Sequence, residues 1–312
     1  MARGPDSSAR EDLGADFAEA LAQGWLPIRE VARQTGVNAV TLRAWERRYG
    51  LIVPHRTPKG HRLFSAEHVQ RIQTILTWIN RGMAVSKIKP LLDAPQPPAE
   101  PVENDWHRQR NALIVAITQL AERQVDELVN QAMALYPPLT VCEQLLLPLL
   151  DDLQLRWQGQ FGAQLERVFL YSWLRSKFGS RIYHNNRQLR GAPLLLVNHS
   201  DHPLEPLLWL TAWLVSNADC PVEVLDGPIP AGELAMAVER LNARGVLLYC
   251  SHALNLSQLP RLLNGIGCPT IIAGSAASIH HARLSTGVAV KDVTWAEDPL
   301  AAFRELSRRA LL

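Results

Sequence analysis

The chain of 312 residues has four cysteines, Cys142, Cys220, Cys250 and Cys268. They are far apart, each lies in an apolar run, and no CxxC or other metal-ligand spacing exists. This reads as reduced, buried thiols with no metal centre. No apolar run approaches the length of a bilayer span, and the first residues lack the apolar core of a signal peptide. We therefore expect a cytoplasmic protein without a membrane partner. A glycine-rich dinucleotide loop, a phosphate loop and a nucleophile elbow are all missing, so we expect no enzyme and no catalytic residues. No internal repeat is found.

Acidic residues are scarce in one segment. From Trp25 to Leu92, twelve Lys or Arg stand against Glu30, Glu46 and Glu67, a surplus of nine positive charges in a chain whose total is +2. The remainder is therefore acidic. A basic segment on an acidic body points to a polyanionic partner for that segment alone. Residues 41–64, TLRAWERRYGLIVPHRTPKGHRLF, thread Trp45, Tyr49 and aliphatic residues through the arginines. A solvated face does not need rings, and a core does not tolerate charges. A small domain that turns cations toward DNA needs both.

The parts of that domain can be named. Residues 28–35 form a first helix with Val31 and Ala32 inward, and Gly36 permits a tight turn. Asn38 caps a second helix that runs to about Tyr49. Val37, Val40, Leu42, Ala44 and Trp45 are expected in the core, whereas Ala39, Arg43, Glu46 and Arg47 form an outward stripe. Asn38, Thr41, Arg43, Arg47 and Arg48 are the candidate DNA contacts of this helix. Gly50 ends it, and LIVPHRTPKGHRLF reads as a two-stranded wing with PKGH at its turn. Arg56, Lys59, His61 and Arg62 are placed there on the DNA backbone or minor groove.

REVARQTGV, TLRAWERRYGL, the wing ending in GHRLF and the following helix EHVQRIQTILTWINRGMAVSKIKPLL closely resemble the MerR family of winged-helix transcription regulators, over residues 25–92. The resemblance implies a homo-oligomer, a dimer or higher, on double-stranded promoter DNA with a near-palindromic and often distorted site.

Around this segment, residues 1–24 are expected to be a flexible arm, with a marginal helix at 16–23. Residues 93–105, DAPQPPAEPVEND, are a proline-rich spacer that gives the second half rotational freedom. Helix-period segments at 106–120, 123–136, 138–158 and 162–184 suggest a four-helix bundle in a domain of residues 106–185. Residues 186–312 then alternate strand and helix, with strands at 194–197, 222–225, 246–250, 270–274 and 288–290. Five strands separated by helices indicate a doubly wound parallel sheet, so the fold class is a multidomain α and α/β chain. Trp106, Trp157 and Trp173 are read as core.

A bundle followed by such a sheet resembles the cobalamin-binding module of light-sensing MerR regulators of the CarH and LitR type, and its degenerate form in MlrA-like regulators of curli and biofilm genes. The resemblance places a cobalt-ligating histidine in the loop after the first strand, NHSDHPLEP, at His202. Trp157 and Glu166 stand for the residues over the upper corrin face, spaced one residue shorter, and Gly274 matches a late glycine. The pattern departs at Ser200, at Glu205 in place of glycine, at Arg167 in place of histidine and at Ser275. His199, Asp201, His202, Ser251, His252 and Ser275 are all candidates to line this crevice. Two readings follow. In the first, the module has lost cobalamin and takes its signal from a regulatory protein partner or another small ligand, in control of biofilm, stress or light-response genes. In the second, it is an adenosylcobalamin photoreceptor.

Overall fold

The computed structural model describes residues 23–57, 60–92, 105–200, 204–251, 259–284 and 293–312. The expected arm, most of the spacer, Lys59, His202 and the strand expected at 288–290 lie outside these residues. The described chain forms two compact units that divide between Leu153 and Gln154.

The first unit begins with a winged helix-turn-helix. Strand β1 (Leu26–Pro27) leads into α1 (Ile28–Thr35), whose end is set by Gly36 in the left-handed region, φ +70°. Asn38 Oδ1 accepts from the Thr41 N–H at 2.8 Å, capping α2 (Ala39–Ala44). The helix continues as a wider π turn, Trp45–Tyr49, and stops at Gly50, φ +57°. β2 (His55–Arg56) and β3 (Arg62–Phe64) form the wing, and β1 adds to β3 as a third antiparallel strand. That strand was not expected, because a two-residue segment carries no periodicity. α3 (Ala66–Asn80) is opened by a capping box between Ser65 and His68, and buries Ile72, Ile75 and Ile79 along one face. A short 3-10 turn (Val85–Lys87) and α4 (Lys89–Leu92) follow.

α5 (Asp105–Thr118) and α6 (Glu122–Leu135) form a hairpin packed through Leu113, Ala116, Ile117, Val125 and Val129. This hairpin is docked on the winged helix. The Trp45 indole donates to the Leu135 carbonyl at 2.8 Å, Trp106 donates to the Ile79 carbonyl at 3.2 Å, and the Asp105 N–H reaches the Gly82 carbonyl at 3.2 Å. Both ends of the proline-rich run are thus fixed to one body, and the rotational freedom expected of the spacer gives way to buried indoles that need acceptors. α7 (Pro138–Val141), a π turn (Cys142–Leu146) and α8 (Leu147–Arg156) complete the helical path toward the second unit.

The second unit holds α9 (Ala163–Asn186) and a five-stranded parallel sheet: β4 (Leu194–Asn198), β5 (Val222–Leu225), β6 (Gly245–Tyr249), β7 (Thr270–Ala273) and β8 (Val293–Ala296). The order is β5-β4-β6-β7-β8, so the chain reverses direction across the sheet between β4 and β6. β4, β6 and β7 are buried at every position, which is why their sequences are continuous apolar runs. The fifth strand is VTWA, in register with β7 from Thr270↔Val293 to Ala273↔Ala296. α10 (Pro206–Ser216), α11 (Ala231–Leu241), α12 (Leu259–Leu262), α13 (Ser275–Leu284) and α14 (Pro299–Arg308) connect and follow the strands. Phe178 of α9 meets Trp213 of α10 with ring centroids 4.9 Å apart. Among the described residues, no helix is long and apolar enough to cross a membrane.

Trp45→Phe keeps the buried ring and deletes the N–H that binds Leu135. We expect a loss of about 1 kcal/mol in denaturant unfolding, together with faster proteolysis between residues 93 and 105 than in the unaltered chain.

Candidate nucleic-acid interface and sheet crevice

The phase of α2 decides which side chains it offers. Val37, Thr41, Leu42 and Trp45 are buried, whereas Arg43, Arg47 and Arg48 are exposed. Two expectations are corrected here. Thr41 is fully buried and its hydroxyl has no hydrogen-bond partner among the described residues, so it is a core residue. Val40, expected in the core, is 63% exposed. Because the Asn38 cap sets the first turn, Thr41 falls inward four residues after Val37, and Val40 falls beside Arg43. The outward surface therefore carries an apolar group among its cations.

The wing is fastened to this helix by one carboxylate. Glu46 accepts from Arg56 Nη2 and from Arg62 Nε, each at 2.5 Å. Burial opposes the charge of Glu46, but Arg62 and Arg56 more than offset it, and its pKa lies below the ordinary value. A lowered folded pKa means that this clamp stabilises the fold above the usual glutamate range. The contribution is lost as pH falls through the lowered value. The Arg62 side chain is only 13% exposed and is therefore a structural partner of Glu46, whereas Arg56 remains 49% exposed. His61 is exposed on β3's approach, with its N–H on Thr57 Oγ1.

In the second unit, the loops after β4 and β6 meet at the point where strand order reverses, the usual ligand position of this fold. Here the position is occupied by the chain's own polar groups. Asn198 Oδ1 accepts the Ser200 N–H at 2.9 Å, and the Ser200 hydroxyl lies 3.1 Å from Ser251 Oγ. The Ser251 N–H donates to Ser200 Oγ at 3.0 Å, and the Ser251 hydroxyl donates to the Glu205 carboxylate. Glu205 is only 5% exposed. Burial, reinforced by the Glu205 charge, pushes the Cys250 thiol up to about 12, so it is a neutral thiol. Ser275 Oγ donates to the Ser251 carbonyl at 2.5 Å, and the His199 N–H to the Tyr249 carbonyl at 2.8 Å. Asp226 joins the edge of this network, bound by Asn198, Trp209 and Arg175.

Trp157 and Glu166 are brought together, but onto each other. The indole donates to Glu166 Oε2 at 2.8 Å, the Arg167 guanidinium sits 5.2 Å over the ring, and Tyr171 packs edge-on. Trp157 is 4% exposed. Gly274 has φ +98°, and a Cβ there would stand 2.6 Å from the Cys250 carbonyl oxygen and 2.9 Å from the Tyr249 ring. The close approach is to the chain's own backbone. Among the described residues, Arg167 and Tyr171 cover the Trp157 ring, Glu205 is buried on its serine donors, and the Gly274 position is already packed. His202, Asp201 and His252 lie outside the described residues, and among those described no group of three metal-ligating side chains occurs.

Gly274→Ala should destabilise the second unit by about 2–4 kcal/mol, read as a lowered melting transition. Gly267→Ala, where an added Cβ meets nothing within 4 Å, should stay within about 0.5 kcal/mol.

Comparison with known proteins gives two family matches, the second of which crosses the boundary between the two units. Residues 26–95 match the MerR HTH family regulatory protein model, and residues 109–181 match the B12 binding domain model. The HTH-type transcriptional regulator MlrA of Salmonella typhimurium is 30% identical over 238 residues, 76% of this chain and 92% of the relative. The HTH-type transcriptional repressor CarH of Myxococcus xanthus is 25% identical over 303 residues, 88% and 98% of the two chains. A cobalamin-binding protein of known structure from Desulfitobacterium hafniense DCB-2 covers 64% of this chain and 97% of its own. Its identity is 14% and its TM-score 0.32, too loose a likeness to argue from. With the helix-turn-helix matched in full and the MlrA likeness running through the helices beyond it, the chain belongs to the MerR family of helix-turn-helix transcriptional regulators.

Proposed function

We propose that the chain is a sequence-specific, promoter-binding regulator that works as a homo-oligomer. In this reading Arg43 and Arg47 read base edges in the major groove and Val40 meets a thymine methyl. Arg48, Arg56, Lys59 and His61 hold phosphates. Asn38 acts through its cap rather than by touching DNA. The observation that carries the reading is the exposed set Val40, Arg43 and Arg47 on a capped helix, with the wing clamped beside it through Glu46. An apolar group among arginines is what groove readout uses and what a merely solubilising surface does not need.

Arg43→Ala should cost about 1–3 kcal/mol of affinity and relax preference at one base position, measured on a duplex selected from a random pool. Glu46→Gln removes the counter-charge of two arginines. It should steepen the salt dependence of binding by about one to two units of slope while weakening discrimination between duplexes. Equal, salt-independent effects of both variants would count against the assignment.

The α/β module, in the same reading, works without cobalamin and takes its signal from a protein partner or another small ligand, for biofilm, stress or light-response genes. The self-bonded Glu205–Ser251–Ser200 cluster and the covered Trp157 support this. A second reading, an adenosylcobalamin photoreceptor, is favoured by the B12 binding domain match of residues 109–181. Protein purified in the dark, incubated with adenosylcobalamin and gel-filtered decides between them. We expect no retained corrin absorption and intact DNA binding. A retained band that disappears in His202→Ala would establish the second reading instead.

A further inference from the structure

One cavity is lined by none of the groove-facing arginines. It is a cleft of about 370 Å³ inside the first unit, where the end of the π turn and the 3-10 turn face α5 and α6. That volume falls within the range of small-molecule sites. We propose that it is an effector site for a small, flat, aromatic anion. The proposal rests on the DNA-binding reading above, because the effector's action would be on that binding.

The chemistry of the walls selects the ligand class. Tyr49 and Tyr136 contribute rings, and Leu128 and Ala132 an aliphatic wall, which together suit a planar apolar body. The one carboxylate, Asp105, is already engaged. It binds Arg108, accepts from Gln109 Nε2 at 2.6 Å, and accepts from the Tyr136 hydroxyl at 3.4 Å. Burial and the Asp105 charge push the Tyr136 hydroxyl well above its ordinary pKa, so it remains a neutral donor. Lys87 is exposed and makes no ion pair among the described residues. Two cations against one spent carboxylate leave a surplus of one positive charge at the mouth. A single carboxylate or sulfonate on the ligand matches that surplus, whereas a cation or a neutral sugar does not.

The position of the cleft gives it a regulatory role. Tyr49 is the last residue of the DNA-reading helix, and Lys87 belongs to the same winged-helix domain. Leu128 and Ala132 belong to the hairpin on which that domain is docked. An occupant touches both sides at once, so it binds best to the docked arrangement. A duplex that favours the same docked arrangement raises the occupant's affinity, and the occupant raises the duplex's by the same factor.

The test uses the full chain with 8-anilinonaphthalene-1-sulfonate, a planar aromatic sulfonate, followed by its fluorescence. We expect saturable binding at one site per chain. Lys87→Glu, an exposed substitution that leaves the core untouched, should weaken binding about tenfold by reversing the charge at the mouth. Leu128→Trp, which fills the half-buried wall, should do so independently. The selected duplex should shift the probe's Kd, and the probe should shift the duplex Kd by an equal factor. Probe binding that is absent, or indifferent to both substitutions, would overturn the site. Binding that is lost in the variants but leaves DNA affinity unchanged would overturn its role as an effector site. Failure of the DNA-binding reading shows separately, as no duplex selected from the pool while the probe still titrates.

Discussion

Two buried indole N–H groups hold the DNA-reading half of this protein together. An indole nitrogen buried without an acceptor forfeits on the order of 1–3 kcal/mol, so Trp45 and Trp106 each need a carbonyl. The small winged helix supplies the ring of Trp45 but not its acceptor, which is Leu135 on α6. Trp106, from α5, finds its acceptor at Ile79, near the end of α3. The two bonds run in opposite directions across the same joint. Each body satisfies the other's buried donor, and the winged helix is therefore a docked part of a larger unit. The stacking of Trp106 on Tyr136, at 4.3 Å between centroids, and the bond from Tyr136 to Asp105 extend the same joint. The effector cleft lies in the seam these contacts define.

A second constraint acts on the surface. The surplus of nine positive charges between Trp25 and Leu92 counts Arg56 and Arg62, both held by Glu46. Much of Arg62's charge is spent in orienting the wing rather than on a partner. Arg33 is likewise paired, with Glu30, and Arg71 donates to the Leu51 carbonyl. Of the cations that remain, Arg43, Arg47 and Arg48 stand exposed together at the end of the reading helix, and Arg29, Arg81, Lys87 and Lys89 are exposed elsewhere on the domain. A net charge thus overstates how many cations are unpaired, and the carboxylates inside a basic segment show which ones are engaged.

The legible parts of the sequence were those with a repeated signal. The cap at Asn38, the turn at Gly36 and the apolar strands β4, β6 and β7 each follow from a periodic pattern or a residue with one strong preference. What failed was phase. A six-residue helix offers under two turns from which to read its inward face, so Val40 and Thr41 exchanged places although they are neighbours. The π turn at Trp45–Tyr49 changes that phase again without a sequence marker. β1 was hidden because its two residues, Leu26 and Pro27, are strand only through pairing with β3. At the crevice, the departures at Ser200 and Glu205 were visible as mismatches. That both also meet Ser251 required the β4–β6 adjacency, which only the folded topology supplies.

That linkage bears on how such a module can change its ligand while keeping its fold. A parallel sheet in this order opens a crevice between its first and third strands whether or not a ligand is present, because the two following loops diverge there. Without Glu205 the Ser251 hydroxyl would keep only Ser200 as a partner at a nearly dry edge, while the Ser200 hydroxyl would keep Tyr249 and Ser251. Glu205 supplies an acceptor that reaches into the crevice from the N-terminal edge of α10, and it carries its charge into a site only 5% exposed. A cofactor entering there would have to displace this carboxylate from its serine donors, and a buried carboxylate without donors is far more costly than a bound one. Glu205 therefore does more than take up space at this edge: it accepts from the hydroxyls that line it. The edge of the sheet thus has its hydroxyls and its buried carboxylate satisfied by one another within the chain itself.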